Sequence, residues 1–147
     1  MSVLHRYTIM RIIEIDAGHR IDGHEGKCAD FHGHRYSFEI YMKPKDGLDK
    51  LGRAIDFGVV KKIIGGWLDE YWDHGMLIWE KDEFAYLWQE NGPLHKQKHF
   101  FLPKNPTAEN LSSFLFEQSY KLLQDTDVEV IAIGCFETPN CHAYVED

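Results

Sequence analysis

Two stretches in the first third of the chain alternate apolar and polar residues with a period of two. One face of residues 7–19 carries Tyr7, Ile9, Ile13, Ile15, Ala17 and His19, with Arg11 as the one interruption. One face of the second stretch carries His32, His34, Tyr36, Phe38, Ile40 and Met42. A period of two is typical of a half-buried strand, so we predict two strands, followed by turns in the "KPKDGLDKLG" segment.

A helical period follows in residues 55–72. Its apolar positions recur every three or four residues, at Val60, Ile63, Ile64, Trp67, Leu68 and Tyr71. Asp56 precedes them as a candidate N-cap. Gly65 and Gly66 weaken this predicted helix by about 1 kcal/mol each.

The second half of the chain predicts another helix and two more strands. The helix covers residues 105–124, with Asn105 or Thr107 as its cap and a stripe of Leu111, Phe114, Leu115 and Leu122. Residues 80–104 have no clear period, and we interpret them as a loop or short helix. "VEVIAIGCF" and "CHAYV" are the last strands, which gives one domain (residues 1–147) of the α+β class. Its order is β-β-α-α-β-β, a four-stranded antiparallel sheet with two helices on one face.

The charge balance excludes some partners. The chain of 147 residues has a net charge of -8, which argues against nucleic acid as the main partner. Any pocket for a phosphate group must therefore be built from local charges. No apolar run approaches the roughly 20 residues that span a bilayer, and the first residues lack a signal-peptide pattern. We therefore expect no membrane partner and a cytoplasmic location, with Cys28, Cys135 and Cys141 as free thiols.

The strongest chemical signal is a set of histidines at the junction of the first two strands. If these strands form a hairpin, His19 ends one where His32 and His34 begin the other, and all three continue the apolar faces. Three imidazoles suit zinc and leave a fourth position open, as in catalytic sites. Two alternatives remain: nine histidines can cluster by chance, and His24 in the connecting loop is another third ligand.

Four other residues are candidates for catalysis or binding. Cys28 lies four residues before His32, where a nearby cation would favour its thiolate, although alone it is read as a small half-buried residue. Asp73 directly precedes His74 and could orient its imidazole in a loop, but such dipeptides are frequent. Glu137, at a strand end, is either solvated at a turn or bound to N–H groups of a ligand.

These pieces resemble one family, the 6-pyruvoyl- and 6-carboxy-tetrahydropterin synthases. The matching segments span most of the chain in the family's order: "IDAGHR", "KCADFHGHRY", "GRAIDF", "WDHGML", "NPTAEN", "CFET" and the terminal "AY". The short gap between "KC" and "HGH" is similar to the bacterial carboxy-tetrahydropterin branch, which feeds 7-deazaguanine and queuosine synthesis.

The resemblance implies a role for each matching position. His19, His32 and His34 would hold zinc, Cys28 would be the proton-abstracting base, and Asp73 with His74 would form the relay. Glu137 would anchor the pterin ring, and Thr107 would lie near the pterin. It also implies a tunnelling fold in which three subunits close their sheets into a barrel, two trimers stack as a hexamer, and the active sites lie between subunits.

The activity implied is conversion of 7,8-dihydroneopterin triphosphate to 6-carboxy-tetrahydropterin, acetaldehyde and triphosphate. Alternatives are 6-pyruvoyl-tetrahydropterin synthesis or action on sepiapterin by the same fold, a non-catalytic zinc- or pterin-binding protein, and an unrelated zinc hydrolase. The sequence departs from the family in three places. Residues 80–104 form a long stretch, the usual cysteine after Glu137 is missing, and Ala108 replaces a threonine of the animal enzymes.

Overall fold

A six-stranded mixed sheet with its helices on one face forms the protein, in a computed structural model that describes residues 2–147. The strands lie in the order β4-β3-β1-β2-β5-β6. Their bounds are β1 Ile9–His19, β2 His32–Pro44, β3 Gly75–Trp79, β4 His99–Leu102, β5 Val128–Thr138 and β6 Cys141–Glu146. The α-helical segments are α1 Phe57–Val60, α2 Gly66–Tyr71 and α3 Ala108–Leu122.

The predicted hairpin of β1 and β2 is confirmed, although β1 begins two residues later than expected. The two strands pair antiparallel from Ile9 opposite Met42 to His19 opposite His32. Their alternating apolar residues are buried on the face that the helices cover, together with side chains of both helical regions: Ile15, Tyr36, Phe38, Ile40, Val60, Ile64, Leu68, Leu111 and Leu115. The period of two thus fixes which face of the hairpin is buried.

The first helical region is not one regular helix. A π-helical turn, Lys61–Gly65, separates α1 from α2. Asp56 caps α1 as predicted, because its side chain accepts a hydrogen bond from the Gly58 N–H. The π turn ends at the pair of glycines, where the α-helix is intrinsically weakest.

The sheet has two strands more than the sequence predicts. β3 follows the first helical region and runs parallel to β1, with Ala17 opposite Gly75. β4 lies within residues 80–104, which we interpreted as a loop or short helix, and it pairs parallel with β3. The antiparallel prediction is therefore wrong at this edge, because short parallel strands take their partners from the tertiary structure and show little alternation of their own. Within residues 2–147, no helix has the length and hydropathy to cross a membrane.

Candidate active site

Strand register brings three histidines together at one end of the hairpin. His19 lies directly opposite His32, and His34 follows two residues later on the same face, opposite Ala17. The Nε2 atoms of His19 and His32 are 3.0 Å apart, and ring nitrogens of all three histidines lie within 4.8 Å of one another. His24 is not part of this cluster, and its Nδ1 accepts a hydrogen bond from the Gly26 N–H at 2.8 Å.

Backbone carbonyls orient two of the three rings. The Nδ1 atom of His19 lies 2.8 Å from the Pro106 carbonyl oxygen, and that of His32 lies 2.7 Å from the Asp30 carbonyl oxygen. A carbonyl only accepts, so each Nδ1 carries the proton and each Nε2 presents a lone pair. This is the arrangement in which a histidine binds a metal through Nε2 while its other nitrogen is held by a hydrogen bond.

Glu137 reaches the same cluster from β5. The pairing of β5 with β6 shifts register between Phe136 and Thr138, so Glu137 lies at an irregularity that re-aims its side chain. Its Oε1 is 3.3 Å from His19 Nε2 and 3.8 Å from His34 Nε2. The sequence left open whether Glu137 is solvated at a turn, and the structure places it beside the histidines.

The electrostatics of the cluster favour neutral imidazoles. The pKa of His19 is lowered from 6.5 to about 4, mainly by burial. The hydrogen bond to Pro106 acts to raise it, and the neighbouring His32 and His34 act to lower it. Burial also lowers the pKa of His34. Neutral imidazoles are the form that binds metal ions, and the buried Nε2 of His34 has no hydrogen-bond partner among the described residues. His19, His32 and His34 therefore fit a divalent ion that prefers nitrogen ligands, such as zinc.

Cys28 lies in the loop that joins the first two histidine-bearing strands. It is half-buried in a short 3₁₀ turn, Lys27–Ala29, and its carbonyl accepts a hydrogen bond from the Ile21 N–H at 2.7 Å. Tyr36, which packs against the rings of His19 and His34, has a raised pKa because of burial, with smaller contributions from Glu137, Cys135 and Cys28. Cys28 thus lies on the chain segment that joins His19 to His32, two of the three clustered histidines.

Asp73 and His74 form a hydrogen-bonded pair elsewhere. Asp73 Oδ2 lies 3.0 Å from His74 Nδ1, and Asp73 Oδ1 accepts a hydrogen bond from the Asp16 N–H at 2.9 Å. Burial raises the pKa of Asp73, but its hydrogen bonds from Asp16 and His74 outweigh burial and leave the pKa lowered. His74 has a φ of 61°, in the left-handed region, and its side chain is exposed.

This pair and the histidine cluster lie on different faces of β1. The side chain of Asp16, which is close to Asp73 and His74, is three residues from His19, and successive strand residues point to opposite faces. The structure therefore brings together His19, His32, His34 and Glu137, and within one chain Asp73 and His74 form a separate group, beside a cleft that His34 also lines.

Thr107 caps helix α3. Its Oγ1 accepts a hydrogen bond from the Asn110 N–H at 3.1 Å, which leaves the hydroxyl proton free to be donated. The carbonyls of Asp30 and Pro106 are functional groups that sequence reasoning missed. A backbone carbonyl leaves no trace in the residue type, so only their position next to the histidine and "NPTAEN" motifs could have indicated them.

The family model described as 6-pyruvoyl tetrahydropterin synthase matches residues 8–147. A relative from Rickettsia bellii, named 6-carboxy-5,6,7,8-tetrahydropterin synthase, is 42% identical over 136 residues, covering 92% of this chain and 96% of the relative. One of the same name from Haemophilus influenzae is 29% identical over 140 residues, covering 90% and 94%.

Solved structures share the fold. An uncharacterized protein from Wolinella succinogenes superposes with a TM-score of 0.84 at 19% identity, covering 98% of this chain and 99% of that one. The 6-pyruvoyl tetrahydropterin synthase of Caenorhabditis elegans gives 0.69 at 21% identity, covering 100% and 99%. The fold of one subunit that the resemblance implies is therefore confirmed, with six strands in place of four. The chain belongs to the 6-pyruvoyl tetrahydropterin synthase family, whose members are lyases.

Proposed function

We propose that the protein is a zinc-dependent 6-carboxy-5,6,7,8-tetrahydropterin synthase. The observation that carries this proposal is the 42% identity, over nearly the full length of both chains, to a relative of that name. Three further relatives of the same name are 38–40% identical over the same share of the chain. The histidine cluster, the cysteine loop and Glu137 provide the chemistry that such a reaction requires.

The proposed substrate is 7,8-dihydroneopterin triphosphate, which carries hydroxyls on the side chain at ring position C6. With one molecule of water it gives 6-carboxy-tetrahydropterin, acetaldehyde and triphosphate. Protons must leave carbon atoms of the side chain and return elsewhere, so the site needs a base, an acid and a group that stabilises charge on oxygen.

His19, His32 and His34 would hold the zinc ion. When bound there, zinc supplies a Lewis acid beside the side-chain oxygen of the substrate. Cys28, whose loop connects two of the ligands, would remove the carbon-bound proton as a thiolate. His74 returns protons, and Asp73 keeps its Nδ1 protonated through the 3.0 Å contact, so Nε2 is the atom that exchanges protons with the substrate.

Glu137 would recognise the pterin ring. A pterin presents a ring N–H beside an exocyclic amine, and one carboxylate can accept from both donors. Thr107 would contribute its free hydroxyl proton to the same ligand. Both residues lie at the end of the sheet where Pro106 holds His19.

The active site is proposed to combine two subunits. Asp73 and His74 lie on the face of β1 opposite to the zinc ligands, so a second chain must supply this pair. A trimer in which each subunit gives its histidine cluster to one neighbour and its Asp73–His74 pair to the other satisfies this requirement, and two stacked trimers form the hexamer.

The proposal includes a cytoplasmic location and a place in 7-deazaguanine and queuosine synthesis, and the free thiols of the described chain agree with the former.

Product identity tests the proposal. Purified protein loaded with zinc is incubated with 7,8-dihydroneopterin triphosphate, and the products are separated and weighed by mass spectrometry. We expect 6-carboxy-tetrahydropterin and acetaldehyde. Accumulation of 6-pyruvoyl-tetrahydropterin would instead establish the other activity of this family, and an unchanged substrate would reject both.

A further inference from the structure

The segment of residues 80–98, between β3 and β4, packs back onto the protein. Asp82, Ala85 and Trp88 are buried, each no more than 5% exposed. The segment is also bonded internally, since the Nδ1 of His95 lies 3.0 Å from the Trp88 carbonyl oxygen. It is therefore a docked element with its own contacts, although none of the roles proposed above uses it.

Arg20 is the residue outside the segment to which two of its carboxylates lie close. It is 3% exposed, and its Nη1 donates to Asp82 Oδ1 at 3.2 Å. Its Nη2 donates to Asp22 Oδ1 at 3.2 Å and lies 3.6 Å from Glu83 Oε1. The Asp82 side chain is fully buried, whereas that of Glu83 is 65% exposed. Arg20 and Asp82 are thus the buried pair, in which each charge depends on the other.

Aromatic rings enclose the same guanidinium group. The Arg20 Cζ lies 4.6 Å from the ring centre of Phe84 and 5.6 Å from that of Phe31. Phe31 in turn packs 5.7 Å from both Phe84 and Trp88. A planar guanidinium can stack on rings while it donates from its edge, which a lysine cannot do.

The segment also borders the Asp73–His74 pair. Trp88 and Leu94 line a cleft of about 630 Å³ that His74 also lines. Lys98, at the end of the segment, donates hydrogen bonds from Nζ to the carbonyls of Asp69 and Asp73. One segment therefore touches both the cleft of the Asp73–His74 pair and the residues around Arg20.

Arg20 and Phe31 are the first and last residues of the loop between His19 and His32, and this loop carries Cys28. We propose that Arg20 is a positioning residue that, through Asp82 and the two phenylalanines, clamps both ends of the Cys28 loop to the 80–98 segment. The clamp fixes the position of Cys28 and limits access to it. Its value for catalysis depends on the proposed function, but the clamping itself does not.

Alkylation of Cys28 measures the clamp directly. The zinc-loaded protein carries Cys141→Ser, because Cys141 is exposed and would also react, whereas Cys135 is buried. We expect Asp82→Asn to raise the rate of Cys28 alkylation by iodoacetamide about tenfold or more, since losing a charged hydrogen bond raises the open population of the loop. Glu83→Gln is the matched control, because it changes an exposed carboxylate on the same arginine, and its rate should equal the parent rate.

Phe84→Leu provides a second test, because it changes neither charge of the ion pair. It removes a ring from the guanidinium and should also accelerate alkylation. If either folded variant melts at a lower temperature but alkylates Cys28 at the parent rate, the residues only stabilise the fold, and the clamp proposal is wrong.

Turnover separates this inference from the proposed function. With 7,8-dihydroneopterin triphosphate, Asp82→Asn should lower kcat more than it raises KM, because it misplaces the base without removing a substrate contact. If the parent protein leaves this substrate unchanged while Asp82→Asn still accelerates alkylation of Cys28, the proposed activity is rejected and the clamp is kept. Normal turnover with unchanged alkylation would reject the clamp and keep the activity.

Discussion

A mixture of two inactive variants should recover activity if the active site is shared between subunits. Cys28→Ala removes the proposed base, and His74→Ala removes the proposed relay, so each variant alone should be nearly inactive. In a trimer that mixes both chains, a site is complete where the His74→Ala chain supplies Cys28 and the Cys28→Ala chain supplies His74. This expectation follows from the geometry, because the histidine cluster, whose ligands flank the Cys28 loop, and the Asp73–His74 pair lie on opposite faces of β1.

The size of the recovery can be worked out. In a closed ring with equal amounts of both chains and random association, about a quarter of the sites pair the two intact halves, so activity should reach about a quarter of the wild-type value. Wild-type chain mixed with a Cys28→Ala/His74→Ala double variant is the matched control. It should retain about a quarter of full activity if sites are shared, and about half if each site lies within one chain.

The assay refolds the chains together, verifies mixed trimers by native mass spectrometry, and measures product formation. Activity of the mixture that does not exceed the sum of the separate variants, although mixed trimers are present, would refute the shared site.

Three further predictions follow from the cluster itself. Atomic absorption should find roughly one zinc per chain in the parent protein. His19→Ala should lose most of this zinc, while His24→Ala should keep it, and the reverse result would make His24 the ligand. Glu137→Gln should weaken substrate use at least about tenfold with zinc unchanged, since hydrogen bonds to a charged group contribute roughly 1.5–3 kcal/mol, and wild-type pterin affinity would contradict the role of Glu137. In metal-free protein, the His19 pKa of about 4 lies below its unfolded value of 6.5, so the unfolded chain binds the extra proton between these values. The free energy of unfolding should fall as the pH falls from about 6.5 to about 4, by up to about 3 kcal/mol for this group, and urea titrations that show a rise would contradict it.

The parts of the site that the sequence predicts are those with a local period. The alternation in β1 and β2 gives the buried face of the hairpin, and antiparallel pairing then brings His19 opposite His32. No such regularity exists in β3 and β4, whose parallel partners are decided by packing. The aim of Glu137 depends on a shift of register, and the contact of Arg20 with Asp82 joins residues 62 positions apart.

In the part of the chain that the structure describes, several buried polar side-chain atoms lack a hydrogen-bond partner, and most of them lie near the histidine cluster or the Cys28 loop. Buried polar groups in folded proteins are nearly always hydrogen-bonded, because each unpaired group costs about 1–3 kcal/mol. Among residues 2–147, six buried side-chain atoms lack a partner, and four of them belong to His34, Tyr36, Arg20 and Asp82. Two of these residues lie at the histidine cluster and two at the clamp of the Cys28 loop, so the unsatisfied groups concentrate around one loop. A metal ion held by the three histidines would satisfy His34, whereas Arg20 and Asp82 stay partly unsatisfied in the folded chain. A clamp of hydrophobic residues would avoid that cost, so we infer that the ion pair is retained for the geometry that it imposes on the loop.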